Sequence, residues 1–137
     1  AWRRGYATPP PPVPLDSPEH PINDPRYSHL PPDVLPASEC LKDVVDRVLP
    51  YWYDQIAPQL LAGLDVLVTA HGNSLRGLLK HLEDVSDDDI ADVNIPTGAP
   101  RQYRFDDRLG VVSAEYLGDA DAVAAAAAAV AAQAGTA

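Results

Sequence analysis

The residues best suited to chemistry in this sequence lie in the run His71-Gly72-Asn73-Ser74, between a short apolar stretch and a helical stripe. Ligands gather where strands of an open α/β sheet end. A helix N-terminus adds unpaired backbone donors and a partial positive charge, which favour phosphate. Gly72 lets the backbone approach a ligand, Asn73 can donate a hydrogen bond, and Ser74 can cap the helix. A histidine satisfied by its neighbours at a strand end is the alternative, and the residues alone leave both open.

Arg3 and Arg4 are the second candidates for chemistry. Arginine presents a planar fork of donors that matches the oxygens of a phosphate or carboxylate. Adjacent arginines can both reach one ligand only where the backbone is irregular. The alternative is a solvated charged segment, which the two residues alone do not exclude.

Other groups that could take part in chemistry are given structural interpretations. Arg76, Lys80 and His81 form a basic strip on one predicted helix, and we interpret it as a solvated face paired with nearby acids. Cys40 has no neighbour that would lower its pKa, so we predict an inert thiol. Asp87 and its acidic neighbours lack the spaced oxygen ligands and glycine of a calcium loop.

The elements that must position His71 can be predicted from periodicity. Apolar residues from Leu41 to Ile56 recur at helical spacing, with Ser38 as the predicted N-cap. We expect a kink or break at Pro50 and an end near Pro58. Val66-Leu67-Val68 is typical of an inner strand that is covered on both faces. A second helical stripe follows His71, so the order helix, buried strand, turn and helix predicts an α/β layered fold.

The sequence pattern in the last third of the chain predicts further helices and strands. Ser86 and the three aspartates after it are typical of a short helix start with Ile90 and Val93 inward. Residues 102–105 alternate like a strand, and a second strand is expected from Val111. Asp119 is expected to cap an alanine-rich helix that frays at its end.

Composition limits the classes of function. The 137 residues carry a net charge of −10 and a pI of about 4.5, which argues against a nucleic-acid binder. The single cysteine excludes an internal disulfide and fits a cytoplasmic setting. The alanine-rich tail is too short and too weakly apolar for a membrane span. There is no methionine, so we expect a piece of a longer protein.

The chain divides into three parts by composition. Residues 1–37 hold 11 of the 15 prolines, which disfavour helix and inner strand, and we expect a loop segment that lies on a surface or is disordered. Residues 38–118 carry the α/β elements. Residues 119–137 form the alanine-rich helix and tail.

Four motifs resemble the cofactor-dependent phosphoglycerate mutases of the histidine phosphatase superfamily. They occur in that family's order and span nearly the whole chain. The motifs are Trp2-Arg3-Arg4-Gly5-Tyr6-Ala7-Thr8-Pro9-Pro10-Pro11-Pro12, Ser38-Glu39-Cys40-Leu41-Lys42-Asp43, Val68-Thr69-Ala70-His71-Gly72-Asn73-Ser74-Leu75-Arg76 and Asn94-Ile95-Pro96-Thr97-Gly98.

The resemblance implies an isomerase of glycolysis and gluconeogenesis. It would interconvert 2-phosphoglycerate and 3-phosphoglycerate through a phosphohistidine, with 2,3-bisphosphoglycerate as phosphoryl primer and without a metal. It implies that His71 stabilises the transferring group, while Arg3, Arg4, Gly72 and Asn73 bind the substrate. The implied fold is the C-terminal part of a three-layer structure, a mixed, mostly parallel sheet flanked by helices. A homo-oligomer is left open.

Departures from the family pattern keep two alternatives open. The family's nucleophile lies in an Arg-His-Gly motif, which this sequence lacks, so the chain alone is expected to be inactive and to need a missing N-terminal part. Gly5 and Ala7 replace the usual serine and aspartate. A phosphatase of the same superfamily and a non-catalytic phosphate-binding scaffold remain as alternatives.

Overall fold

In the computed structural model, the described residues are Trp2 and 4–134, without the side chain of Ala134. Arg3, one of the predicted ligand residues, lies outside them, as does the last part of the tail, where fraying was expected. The longer elements are helices α1 (Leu41–Tyr51), α2 (Ala57–Leu61), α3 (Gly72–Leu82) and α4 (Ala120–Ala134), and strands β1 (Arg101–Phe105) and β2 (Val111–Tyr116).

Helix α1 begins two residues later than predicted. Its N-cap is Cys40, whose backbone N–H donates to the Asp43 carboxylate at 2.9 Å while its Sγ lies 3.0 Å from the same oxygen. The predicted cap, Ser38, instead donates its hydroxyl to the carbonyl of Pro10 at 2.5 Å. The prediction was wrong because Ser38 anchors the preceding loop, which leaves the helix end to a reciprocal Cys40–Asp43 arrangement.

The helical stretch after α1 continues past the expected end. Pro50 lies inside α1 and lacks the N–H that would bond one turn back, and a π-helical turn, Trp52–Ile56, follows directly. Helix α2 then runs to Leu61, with Pro58 in its first turn, where a missing N–H costs little. A distortion after Pro50 was predicted, whereas Pro58 does not end the helix.

Helix α3 packs closely against α1 and contributes to the core. A Cβ added at Gly77 would lie 3.2 Å from Cγ2 of Val45, so glycine permits this close approach. The core cluster consists of Trp52, Ile56, Ala57 and Leu78. The Trp52 ring packs against Phe105 of β1 at a centroid distance of 5.9 Å, which joins the hairpin to the helices.

Strands β1 and β2 form the hairpin that the alternation of residues 102–105 predicted. They pair antiparallel, with Arg101 opposite Tyr116 and a register irregularity between Arg104 and Phe105. The Asp106 carboxylate accepts from the backbone of Arg108 and Gly110, both at 2.8 Å, and so closes the turn.

The predicted inner strand at Val66–Val68 does not form within the described residues. Residues 64–71 have no regular secondary structure, and Leu67 is 85% exposed. The sheet of the described chain has two antiparallel strands, so the structure is mixed α/β without the expected parallel sheet. An inner strand needs a paired strand on each edge, and the described residues supply none for this segment.

The proline-rich segment lies against the helices and carries three 3₁₀ turns. Val13 donates its N–H to Ala37 at 2.9 Å, and Lys42 donates its N–H to Tyr6 at 2.9 Å. The second bond holds the first residues near α1, and a bond from Arg76 of α3 to the Arg4 carbonyl at 3.3 Å holds them near α3. The turns are Pro21–Asn23, Pro25–Tyr27 and Pro32–Val34.

Both helices predicted near the end of the chain are present, although the N-cap residue of the first is Asp88 rather than Ser86. Ser86 accepts from the Asp89 N–H at 3.0 Å, before a 3₁₀ helix (Asp89–Asp92) that carries the fully buried Ile90. Asp119 caps α4 by accepting from the Ala122 N–H at 2.9 Å. Among the described helices, α4 included, none combines the length and apolar character needed to cross a bilayer.

Candidate functional site

His71 is the N-cap residue of α3. Its Nδ1 accepts from the backbone N–H of Asn73 at 3.3 Å, and its carbonyl accepts from Leu75 at 3.1 Å. An imidazole that accepts at Nδ1 carries its proton on Nε2 when neutral. The ring is exposed, so this Nε2–H is available to an external acceptor.

The first turn of α3 leaves backbone donors for a ligand. The N–H groups of Asn73 and Leu75 are bonded to His71, whereas those of Gly72 and Ser74 have no acceptor among the described residues. Gly72 has open space where a Cβ would lie. Free donors at the positive end of an eleven-residue helix favour an anion.

Arg4 reaches the same place from the proline-rich segment. Its guanidinium donates to the Val93 carbonyl at 3.3 Å and to Oδ1 of Asn94 at 2.5 Å. The Asn94 amide donates in turn to the Asp92 carbonyl at 3.0 Å. These bonds use two of the guanidinium's five N–H donors, and the other three have no acceptor among the described residues and can meet a ligand.

The turn Asn94-Ile95-Pro96-Thr97-Gly98 forms a wall opposite the helix end. Gly98 has φ of +78°, a conformation that favours glycine, and nothing lies within 4 Å of a Cβ placed there. The resulting cleft has a volume of about 670 Å³. Val130 and Gln133 of α4 also line it, so the alanine-rich helix reaches the site.

The structure brings together the predicted residues that it describes. Arg4, His71, Gly72 and Asn73 all line the one cleft, although Arg4 is 67 residues from His71 along the chain. Periodicity and residue type predicted helix α4 but gave no signal that this helix or the wall turn lines the site. The wall turn was linked to the site only through the family motif, and the alanines of α4 carry no chemical signal.

The interpretation of Arg76 as part of a solvated strip was wrong. Its side chain is 6% exposed and lines the cleft. Lys80, by contrast, does pair with an acid, Asp87 at 2.7 Å, and lies 4.6 Å from the centre of the Tyr6 ring. His81 contacts the hydroxyl of Tyr53 at 3.0 Å. The spacing of four placed Arg76 with Lys80, but helix α3 turns Arg76 inward toward Ile90.

The charge of the cleft is opposite to that of the chain. The sequence has 20 aspartate and glutamate residues and a net charge of −10, yet no acidic residue lines the described cleft. Arg4, Arg76 and His71 do, together with Gly72, whose N–H has no acceptor among the described residues. Such a site favours an anionic ligand with several oxygens, which is the chemistry of a phosphate or carboxylate.

Comparison with known proteins identifies the relatives of this chain. It is 56% identical over 132 residues to the 2,3-bisphosphoglycerate-dependent phosphoglycerate mutase of Nitratidesulfovibrio vulgaris strain Hildenborough. The mutases of strains DP4 and Miyazaki F of the same species are 55% and 57% identical. Each match covers 96% of this chain and 53% of the relative. No family model matches the chain.

These identities show which family the chain resembles. The chain is similar to 2,3-bisphosphoglycerate-dependent phosphoglycerate mutases over nearly all of its own length, and it spans about half the length of the curated relatives it matches, their C-terminal part.

Proposed function

We propose that this chain supplies the C-terminal half of the active site of a phosphoglycerate mutase, which interconverts 2-phosphoglycerate and 3-phosphoglycerate in glycolysis and gluconeogenesis. The observation that carries the proposal is the acid-free cleft at the start of α3, lined by Arg4, His71 and Arg76. Phosphoryl transfer depends mostly on positioning and on stabilising charge on the moving group.

His71 is proposed to stabilise the transferring phosphoryl group. The Asn73 N–H occupies Nδ1, so Nε2 is the nitrogen that donates to a phosphoryl oxygen. The free N–H groups of Gly72 and Ser74 lie in the same turn and can receive further oxygens. This arrangement favours negative charge beside His71 without any movement of the helix.

Arg3, Arg4, Gly72 and Asn73 are proposed to bind the substrate, and Arg3 is the neighbour of Arg4 in sequence. Arg4 is fixed by Val93 and Asn94, so its remaining donors are aimed by the wall turn rather than by a flexible side chain. A guanidinium held in this way loses less conformational entropy when it binds a carboxylate or phosphate.

The donors of the cleft fit 2,3-bisphosphoglycerate, which carries two phosphates and a carboxylate. Two arginines and the helix N-terminus supply positive charge at separate points of the cleft, and the His71 imidazole adds a hydrogen-bond donor at Nε2. In the proposed reaction the bisphosphate serves as phosphoryl primer. The residues of this chain hold its anionic groups and contribute no nucleophile, because no Arg-His-Gly motif occurs in the sequence.

The nucleophile is proposed to come from the part of the mutase that this chain does not span. Leu64 and Leu67 are exposed, although their segment has the β-branched apolar composition of an inner strand. We propose that residues 64–70 complete a mostly parallel, three-layer sheet with that other part. Such pairing would place His71 at the carboxyl end of a strand, where α/β folds bind ligands.

The test is an assay of the protein as its gene encodes it. Phosphorus NMR follows 3-phosphoglycerate in the presence of a catalytic amount of 2,3-bisphosphoglycerate. The expected result is accumulation of 2-phosphoglycerate that depends on the bisphosphate, with little inorganic phosphate. Release of inorganic phosphate without isomerisation would contradict the mutase function and indicate a phosphatase. Binding of phosphoglycerate without turnover of either kind would favour a non-catalytic scaffold.

A further inference from the structure

Arg76 is a buried cation that bridges three parts of the candidate site. Its Nη2 donates to the Ile90 carbonyl at 2.6 Å and to the Arg4 carbonyl at 3.3 Å. Its Nη1 donates to Oδ1 of Asn73 at 3.2 Å. One side chain thereby connects the backbone at Arg4, the first turn of α3 and the 3₁₀ helix before the wall turn.

The charge of Arg76 has no counter-ion in the described chain. Its described partners are two carbonyls and one amide oxygen, and its buried Nε has no acceptor among the described residues. Burial, and then the nearby charge of Arg4, lower the pKa of this guanidinium. An unpaired buried charge is unfavourable for folding, so packing alone does not account for an arginine here. An anion in the cleft would supply the missing negative charge.

Arg76 also determines the orientation of the Asn73 amide. A guanidinium has only donors, so the Asn73 atom that faces it must be the oxygen. The NH₂ group of Asn73 is then on the other side of the amide and has no acceptor among the described residues. Without Arg76 the amide could rotate by half a turn and present an acceptor to an anion.

We propose that Arg76 is a positioning residue for anion binding, which fixes the Asn73 amide with its NH₂ group available to a phosphate and holds the backbone of Arg4 beside it. This inference rests on the proposed function, because it deepens the account of the same cleft. Its ligand class is a phosphate monoester. The guanidinium acts through Asn73 and Arg4.

The test compares Arg76→Lys, Asn73→Ala and the double variant in the protein as its gene encodes it. Lysine keeps the charge but lacks the fork that reaches Asn73, Arg4 and Ile90 together. Dissociation constants are measured by calorimetry for inorganic phosphate and for 3-phosphoglycerate. Arg104→Lys is the matched control, since Arg104 is exposed and outside the cleft. Circular dichroism melting establishes that each variant is folded.

We expect Arg76→Lys to weaken binding of both anions about tenfold, the effect of losing one hydrogen bond to a charged group. We expect Asn73→Ala to add little in the Arg76→Lys background, because the two residues act as one unit. Unchanged affinity in a folded Arg76→Lys protein would overturn the inference, as would fully additive losses. Should Arg76→Lys not fold, Arg76→Gln takes its place with the same expectations.

The two proposals fail in different ways. Arg76-dependent binding of inorganic phosphate without tighter binding of 3-phosphoglycerate would contradict the proposed substrate and support the positioning role. Binding of 3-phosphoglycerate that is insensitive to substitution of Arg76 would support the proposed substrate and contradict the positioning role. Absence of binding by the unsubstituted protein would contradict both.

Discussion

Arg76 of helix α3 donates a hydrogen bond to the backbone carbonyl of Arg4 at 3.3 Å, although the two residues are 72 positions apart. The guanidinium of Arg4 bonds in turn to the loop at Val93 and Asn94. Two positive side chains thus lie in one cleft, and neither pairs with a carboxylate within the described chain. Like charges placed together are unfavourable unless an anion lies between or beside them.

Replacing His71 by alanine should lower turnover. In the complete enzyme we expect His71→Ala to reduce kcat by about 10²–10³, since removal of one preorganised donor to developing charge has effects of that size. Thermal unfolding should change little, because the imidazole is exposed and makes one long hydrogen bond. Steady-state kinetics measures the effect, and His29→Ala, an exposed histidine outside the cleft, is the control. Near-normal kcat would refute the role.

Replacing Arg4 by alanine should act mainly on substrate binding. We expect the Michaelis constant for 3-phosphoglycerate to rise about tenfold or more, because a charged hydrogen-bond donor is lost. The matched control is Arg108→Ala, an exposed arginine in the hairpin turn away from the cleft. An unchanged Michaelis constant for Arg4→Ala would contradict the proposed role of Arg4 in substrate binding.

The wall turn should depend on the backbone freedom of Gly98. Alanine meets no atom within 4 Å there, so its whole effect comes from the positive φ, and we expect Gly98→Ala to destabilise the fold by about 1 kcal/mol. Gly72→Ala is a control for stability only, because Gly72 is equally open and its φ is not positive. Urea unfolding compares them. Equal stabilities of the two variants would show that the turn accommodates alanine and does not depend on glycine at this position.

The hairpin should lose stability at high pH through Tyr103. Burial, and then the hydrogen bond that Tyr103 donates to Glu83 at 2.5 Å, raise the pKa of this phenol above its usual value of about 10. A raised folded-state pKa stabilises the fold below pH 10, and this contribution is lost as the pH rises toward the folded-state pKa. We therefore expect the free energy of unfolding to fall above pH 10.

The matched variant for this effect is Tyr103→Phe, which keeps the ring and removes the titrating group. We expect a flatter dependence of unfolding free energy on pH between 9 and 11, measured by urea titration. At pH 7 the variant should lose about 1 kcal/mol, because Glu83 keeps its bond from Arg101 at 2.9 Å. An identical pH dependence in both proteins would assign the alkaline loss to another group.

Local signals predicted much of this molecule. The stripe after His71, the cap at Asp119 and the alternation at residues 102–105 each specify an element within a few residues, and each was confirmed. Elsewhere the predictions were wrong because contacts between residues distant in sequence determine the structure. Ser38 bonds Pro10 instead of capping α1, and Arg76 turns inward because Ile90 and Arg4 offer carbonyls there. The run at 66–68 has the composition of a strand but no described neighbour.

The central claim is that this chain provides the C-terminal half of a mutase site. It is tested by a chimera in which the chain replaces the corresponding part of the Nitratidesulfovibrio vulgaris Hildenborough mutase, to which it is 56% identical. The measurement is the rate of 2-phosphoglycerate formation from 3-phosphoglycerate. We predict turnover within about tenfold of the parent enzyme, which His71→Ala in the grafted half removes. A chimera that melts cooperatively but forms no 2-phosphoglycerate, or one that is indifferent to His71→Ala, would contradict the account.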